Sequence, residues 1–204
     1  MPASPSPRRR RAAAAATSDE LVAAAIRVIG RHGVAAATTR RIADEAGVPL
    51  GTVHYWFSDK EQLLAEVVRV VVDQIERASA VANPSDTPPS PAELRETLGA
   101  AFTSIADDDA GVQLGYYELT ALALRTPRLR ELARHQYRSY RALAARALTP
   151  ALDGVDPDRA AAIAELVMVT FDGLTLSHLA DPEGTHPEAV LDLLAELVSR
   201  QAVS

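Results

Sequence analysis

The polar and aromatic side chains best suited to act on another molecule are concentrated between Thr39 and Lys60. This stretch reads TRRIADEAGVPLGTVHYWFSDK and brings hydroxyl, imidazole, indole and cationic groups close together along the chain. Such groups donate hydrogen bonds to phosphates and contact the edges of bases. The rest of the sequence has no nucleophile elbow, phosphate-cradling glycine loop or metal-ligand spacing, so it predicts no catalytic residues, no metal and no cofactor.

The same stretch has the requirements of a helix-turn-helix. Two short helices, about Thr39–Ala46 and Pro49–Phe57, are predicted to cross at a steep angle through a brief turn. Ala43 is small enough for a close crossing, and Gly47 is free to adopt the positive φ that the turn needs. Pro49 is tolerated in the first turn of the second helix, where its missing N–H costs little.

The second of these helices presents an outward face with a mixed set of groups. Thr52 offers a hydroxyl and a methyl to base edges, and Gly51 lets the backbone approach a groove. Lys60 lies in the first turn of the next helix, where its charge adds to that helix's free N–H groups. We therefore predict that this face binds duplex DNA, with Lys60 on a phosphate.

Helix signals recur along the whole chain, and no convincing strand pattern interrupts them. Capping boxes are predicted at Thr17, Ser58 and Ser90, and Gly33 is predicted to end the first helix. Residues 83–91 include four prolines and indicate a linker. The expected fold is all-α, with about nine helices in a three-helix head and a helical bundle.

Composition and charge narrow the class of protein further. The 204 residues contain no cysteine, which excludes disulfides and thiolate metal sites. Residues 1–60 hold nine Lys and Arg against five Asp and Glu, whereas the rest holds twelve against twenty-two. A basic end on an acidic body suggests that only the N-terminal part meets a polyanion. With no apolar run of 18 residues and no signal peptide, we predict a cytoplasmic protein without a membrane span.

Thr38–Val68, with its core AGVPLGTVHYWFSDKEQLL, resembles the DNA-binding head of the TetR family. The shared pattern is an Ala-Gly-Val turn, a Gly-Thr pair, aromatic residues and a Ser-x-Lys-Glu-x-Leu-Leu block. The rest of the chain is similar to the family in its layout. Two segments, Tyr117-Glu118-Leu119 and Phe171-Asp172-Gly173-Leu174, are also locally similar to the family's ligand-sensing half. The predicted domains are a basic tail (1–16), the DNA-binding domain (17–62) and a ligand-binding and dimerisation domain (63–204).

The resemblance implies a homodimer that binds a double-stranded DNA operator and is released from it by a small-molecule effector. His54 departs from the family's usual tyrosine, which would make operator affinity depend on pH near 6–7. Carried over by position, the DNA-contacting residues are Thr39, Arg40, Leu50, Gly51, Thr52, His54, Tyr55, Trp56 and Lys60.

Two further sets of residues follow from the helical spacing and the family layout. Aromatic and polar groups of the body could line an effector pocket or simply form core, and the Glu118 carboxylate needs a partner such as a cationic ligand, Arg138 or Arg141. The predicted pocket comprises Phe102, Gln113, Tyr116, Tyr117, Glu118, Tyr137, Met168, Phe171 and His178. The predicted dimer interface, a four-helix bundle made by the last two helices of each subunit, comprises Leu166, Val169, Thr170, Leu174, Leu191, Leu194, Leu197 and Val198.

Several alternatives stay open from the sequence. An enzyme is disfavoured by the missing catalytic motifs, and a DNA-binding factor without an effector is disfavoured by the large acidic body. The sequence does not distinguish a repressor from an activator. The Arg8–Arg11 run is either a solvated tail or a minor-groove arm. Trp56 is either a core residue or a phosphate contact, whereas Phe57 is expected in the core.

Overall fold

The computed structural model describes residues 17–81 and 88–201, and this part of the chain is helical without a strand. The arginine tail and residues 82–87 of the predicted linker lie outside it. The described part of the chain has nine α-helices, with one 3-10 helix at Thr149–Leu152 between the seventh and the eighth, and the all-α prediction is confirmed. Their bounds are α1 Ser18–Ala36, α2 Thr39–Ala46, α3 Leu50–Trp56, α4 Lys60–Val81, α5 Pro91–Ala106, α6 Ala110–Arg125, α7 Arg130–Leu148, α8 Pro157–Ala180 and α9 Pro187–Gln201.

The helices begin largely where the sequence places their caps. The Thr17 hydroxyl accepts from the Glu20 N–H, and the Glu20 carboxylate accepts from the Thr17 N–H at 2.8 Å. Ser90 and Glu93 form the same reciprocal pair. Because each box satisfies two backbone donors that have no partner within the helix, both helix starts are fixed locally.

The predicted box at Ser58 is displaced by one residue. The Asp59 carboxylate accepts from the Gln62 N–H at 2.8 Å, so Asp59 performs the capping role assigned to Ser58. The Gln62 side chain accepts from the Ser58 N–H at 2.7 Å. The hydrogen bond from the Gln62 N–H lowers the pKa of Asp59, as expected for a carboxylate that caps a helix.

Contacts within the chain divide it into two compact units, each with its own core. Unit 1 combines the chain up to Val71 with Asp109–Ala133, and unit 2 combines Val72–Asp108 with the chain from Arg134 onward. Helix α6 therefore belongs to the unit that contains the helix-turn-helix. The predicted boundary at residues 62 and 63 remains a prediction from the sequence.

The core of unit 1 is built around α1. Its apolar side, which includes the fully buried Leu21 and Ala25, packs against α2 and α6. At Gly33 the backbone leaves the helical conformation (φ 76°, ψ 167°), and helical hydrogen bonding resumes until Ala36. The first helical segment of α1 thus breaks at Gly33, where the sequence predicts its end, and a further helical turn follows to Ala36.

The core of unit 2 is formed mainly by α5, α8 and α9, whose buried side chains include Leu98, Val167 and Leu194. Helix α8 is long and apolar enough to cross a membrane, with a mean hydropathy of 1.5 over its most apolar window. A core helix passes the same test, so this is weak support for a span. Only 28% of that window is buried within the chain, which leaves an apolar side of α8 uncovered.

Candidate DNA-binding interface and effector half

The turn between α2 and α3 has the geometry that the sequence predicts. Gly47 adopts the left-handed conformation (φ 68°, ψ 27°) and ends α2. The Val48 N–H donates to the Ala43 carbonyl oxygen at 3.0 Å, which closes the turn. Ala43 and Val53 are buried where the two helices meet. Pro49 precedes the first residue of α3 and takes the N-cap position, one residue earlier than predicted.

Helix α3 turns its other side away from the core of unit 1. Leu50, Gly51, His54 and Trp56 are exposed, and Thr52 is half-buried. The Tyr55 ring is 80% exposed and packs edge-on against the Trp56 ring, with centroids 5.3 Å apart. Among the other predicted contacts, Arg40 is exposed, and Thr39 and Lys60 are half-buried. Apart from the buried Val53, the residues of α3 therefore remain accessible to a binding partner.

Phe57 is buried, with 2% of its surface exposed, as the sequence predicts. Val53, one turn earlier, is also fully buried. These two apolar residues hold α3 on unit 1 while the neighbouring aromatic residues stay outside. Trp56, with 42% of its surface exposed, is not a core residue.

The Lys60 ammonium has a partner that sequence reasoning missed. Its Nζ donates to the Val34 carbonyl oxygen at 2.9 Å, across the kinked end of α1. Partial burial lowers the pKa of this ammonium. An ammonium has three donors, so this bond leaves capacity for a phosphate oxygen.

Helix α2 is tied to α1 by an exposed ion-pair network. The two carboxylate oxygens of Glu45 accept from Arg27 at 2.7 Å and from Arg31 at 2.9 Å. The hydrogen bond from Arg27 is the main reason why the pKa of Glu45 is lowered. This network links α2 to α1, although exposed pairs contribute little to stability.

Residues 21–67 match the model of bacterial regulatory proteins of the tetR family, and residues 89–200 match that of the tetracyclin repressor-like C-terminal domain. The second match alone spans more than half of the chain. The chain belongs to the TetR family.

Individual relatives agree with this membership in the TetR family. The nicotine-responsive transcriptional repressor HdnoR of Paenarthrobacter nicotinovorans is 28% identical over 87% of this chain and 91% of its own. The crystal structure of a transcriptional regulator from Rhodococcus sp. Rha1 is 25% identical, with a TM-score of 0.70, over 91% of this chain and 97% of its own. The multidrug binding protein EbrR, solved with imidazole, is 29% identical, with a TM-score of 0.64, over 90% and 95%. The TetR-family chain is thus a DNA-binding transcriptional regulator and not an enzyme.

The residues predicted for the effector pocket of this TetR-family chain are divided between the two units. Gln113, Tyr116, Tyr117 and Glu118 lie on α6 and belong to unit 1. Phe102, Tyr137, Met168, Phe171 and His178 belong to unit 2. Periodicity did not reveal this division because α6 has apolar residues at helical spacing whichever unit it joins.

Glu118 has a partner different from the cationic ligand or arginine that the sequence suggested. Its carboxylate accepts from the backbone N–H of Val34 at 2.5 Å, and Arg141 instead pairs with Glu165. The partner of Glu118 lies 84 residues away along the chain, so no local sequence pattern could identify it.

Three rings meet in unit 2. The Phe102 ring packs edge-on against Phe171 and His178, with centroids 6.4 and 6.0 Å apart. The His178 Nδ1 is buried and has no hydrogen-bond partner within the described part of the chain. The sequence favoured a hydrogen-bonded core histidine over a ligand contact at this position, and the unpaired Nδ1 argues against that interpretation. Met168 is buried in the same unit.

A hydrogen bond between Tyr137 and Asp172 links α7 to α8 in unit 2. The Tyr137 hydroxyl donates to the Asp172 carboxylate at 3.1 Å, and its ring packs edge-on against Tyr140. Burial, together with the Asp172 carboxylate, raises the pKa of Tyr137 to about 12. Tyr137 is therefore protonated at neutral pH and acts as a donor.

The residues predicted for the dimer interface fall into two groups. Leu166, Val169 and Leu197 are exposed, and Thr170 is half-buried. The prediction is corrected for the other four, because their side chains are buried in the core of unit 2: Leu174, Leu191, Leu194 and Val198. Helices α8 and α9 are apolar on more than one side, and periodicity selected the side that the chain itself covers. Leu176, Val190 and Leu193 on the same two helices are also exposed, and they are absent from the predicted set.

Proposed function

We propose that this TetR-family regulator is a repressor that binds its operator as a symmetric homodimer and is released by a small-molecule inducer. The observation that supports operator binding best is the exposed side of α3, which follows a turn closed by Gly47. A seven-residue helix held by Val53 and Phe57 can enter the major groove while its inner side stays packed.

The proposed contacts divide into base readout and phosphate positioning. Thr52 and Leu50, near the start of α3, are suited to base edges, including the thymine methyl group. Arg40, Tyr55 and Lys60 are suited to phosphate oxygens. Thr39, Gly51, His54 and Trp56 complete the proposed DNA-contacting set.

Two exposed apolar stripes in unit 2 support the proposed dimer. Leu166, Val169 and Leu176 follow one another at helical spacing on α8, and Val190, Leu193 and Leu197 do so on α9. Gly173 lies between Val169 and Leu176, and the space at the position of a Cβ is open beyond the adjoining part of its own helix. Large apolar stripes of this kind are normally covered by a partner. We propose that the same stripes of a second copy cover them in a four-helix bundle.

The ring cluster of unit 2 supports a sensing role. A buried Nδ1 without a partner is costly unless another molecule satisfies it. We propose that the inducer is a small organic molecule that reaches His178, next to Phe102 and Phe171. HdnoR is nicotine-responsive by name, and EbrR was solved with imidazole, so nitrogen-containing ring compounds are the first probes to use.

Two substitutions separate base readout from phosphate binding. The probe is a duplex that the wild-type protein enriches from a random pool, called the selected duplex. Thr52→Ala should weaken binding to the selected duplex by about tenfold, while binding to an unrelated duplex changes little.

Lys60→Ala should weaken binding to both duplexes and reduce the slope of log K against log salt concentration by about one unit per subunit. Fluorescence anisotropy between roughly 50 and 200 mM salt measures both quantities.

Arg69→Ala, which removes a positive charge from the same helix at an exposed position away from the DNA-contacting set, is the control for Lys60→Ala. An unchanged salt slope in the lysine variant would exclude its phosphate contact. Equal losses on selected and unrelated duplex in the threonine variant would exclude base readout by Thr52.

Release by an inducer is tested with nicotine and imidazole as probes. A compound that binds only the native state at about 100 times its Kd stabilises that state by about 2.7 kcal/mol, which raises the melting temperature. The same compound should dissociate the selected duplex, and His178→Phe should remove both effects. A compound that raises the melting temperature through His178 but leaves the DNA complex intact would contradict the proposed release.

A further inference from the structure

Unit 1 contains a hydrogen-bonded bridge between three helices that the proposed DNA contacts do not use. The Glu118 carboxylate on α6 accepts from the Val34 N–H at 2.5 Å. The Val34 carbonyl oxygen accepts from the Lys60 Nζ at 2.9 Å, and Lys60 begins α4. The backbone of Val34 is therefore bound at its N–H by an anionic side chain and at its carbonyl oxygen by a cationic one.

The kink at Gly33 is what makes the Val34 N–H available. With φ at +76°, Gly33 breaks the helix, so the N–H that follows needs an acceptor outside the regular helical pattern. A Cβ at Gly33 would lie 3.0 and 3.1 Å from the two Glu118 oxygens. Glycine therefore serves two purposes here, because it adopts the positive φ and leaves room for the carboxylate.

The bridge lies immediately before the helix-turn-helix. Four residues after Val34, the Thr38 hydroxyl caps α2 by accepting from the Arg41 N–H at 3.2 Å. Val34 is buried, and its carbonyl oxygen also accepts from the Ala37 N–H at 3.2 Å. A displacement of Val34 would therefore shift the start of α2 and, through the Gly47 turn, the outward face of α3.

We propose that Glu118 is a positioning residue for operator binding. Its carboxylate fixes the Gly33–Val34 backbone and thereby the orientation of α2 and α3, without touching DNA. A carboxylate suits this role because a charge-assisted bond to a backbone N–H is about twice as strong as a neutral one. The inference rests on the proposed DNA-binding role of α3, and it assigns to Glu118 a role other than the effector contact predicted from the sequence.

The test compares Glu118→Ala and Glu118→Gln in the full chain, with the selected duplex and an unrelated duplex. The alanine variant leaves a buried N–H without an acceptor and should bind the selected duplex about tenfold more weakly. The glutamine variant keeps an acceptor of the same length and should recover most of that loss, to within about threefold of wild type. Binding to the unrelated duplex should change by less than about twofold.

Removing a negative charge strengthens DNA binding by itself, so a matched control is needed. Glu96→Gln makes the same charge change at an exposed position in unit 2 and measures this general effect. Amide hydrogen exchange supplies the second readout. Exchange at Val34, relative to Val28 in the same helix, should be faster in both Glu118 variants and faster still with alanine.

The outcomes separate this proposal from the proposed function. If the alanine variant has wild-type affinity for the selected duplex, or wild-type exchange at Val34, Glu118 does not position the helix-turn-helix. Equal losses on selected and unrelated duplex would also overturn the proposal, because they would indicate general destabilisation. If the wild-type protein enriches no duplex, the DNA-binding role of α3 fails, and the exchange of Val34 still decides whether the bridge exists in solution.

Discussion

Replacing Leu193 with aspartate should convert the proposed dimer into a folded monomer and abolish tight operator binding. Leu193 is 58% exposed and lies in the middle of the apolar stripe of α9, between Val190 and Leu197. A carboxylate buried at a subunit interface without a cationic partner loses its hydration and gains nothing in return. The monomer should still fold because Leu193 lies outside the buried core of unit 2.

The effect on DNA binding should be much larger than that of any single contact. In a dimer, binding of one DNA-binding domain to its half-site gives the second domain a high effective concentration at the other half-site. A monomer has no second domain and loses this gain in affinity entirely. We expect binding to the selected duplex to weaken by at least about 100-fold. Sedimentation equilibrium measures the mass, and anisotropy measures the affinity.

Leu124→Asp provides the matched control, since Leu124 is 56% exposed but lies on α6 in unit 1. This variant introduces the same charge and should remain dimeric. If the Leu193 variant keeps the mass of a dimer, the stripes on α8 and α9 are not the interface. If it becomes a monomer and still binds the selected duplex as tightly as wild type, dimerisation is not needed for operator binding.

The features that could be predicted from the sequence are those that depend on neighbouring residues. Thr17 with Glu20, Ser90 with Glu93, and Gly47 each act over a few positions, and all three are found as predicted. The exposed face of α3 followed from the same local reasoning, because Val53 and Phe57 leave only one side free. Even the displaced cap at Asp59 is a local ambiguity, since serine and aspartate both cap helices well.

The features that could not be predicted depend on partners distant in the sequence. The bond from Val34 to Glu118 joins residues 84 positions apart, and no periodicity encodes it. The position of α6 in unit 1 had a weak signal in Gly111 and Gly115, which are four residues apart on one side of that helix and suit a close approach. The exposed stripes of α8 and α9 were partly missed because one helix side packs within the chain and another remains free, and both are equally apolar.

Replacing Gly111 with alanine should destabilise unit 1 strongly, because α1 and α6 approach each other too closely there for any side chain. A Cβ on Gly111 would overlap the carbonyl oxygen of Gly30, a backbone atom that cannot rotate away. The two helices would have to separate, which would also disturb the contact of Gly115 with Ile29. Overpacking of this kind costs about 1–3 kcal/mol, and we expect the upper end of that range.

Gly99→Ala makes the same chemical change within α5 and should have the opposite sign. Beyond the adjoining residues and backbone of its own helix, no atom lies within 4 Å of the position of its Cβ, so alanine meets no obstacle there. Removing a glycine from a helix interior should stabilise unit 2 by about 0.5–1 kcal/mol. Comparing Gly111→Ala with Gly99→Ala therefore separates the effect of steric overlap on stability from the effect of helix propensity.

Urea unfolding at fixed protein concentration can assign each effect to a unit. The chain has a single tryptophan, Trp56, which lies in unit 1, so its fluorescence follows that unit, whereas circular dichroism follows all helices. The fluorescence midpoint should fall in Gly111→Ala and stay near the wild-type value in Gly99→Ala. An unchanged midpoint in the Gly111 variant would mean that α1 and α6 can separate at little cost. Such a loose contact would also be too weak for α6 to hold the backbone at Val34, so this measurement bears directly on how the recognition helix is oriented.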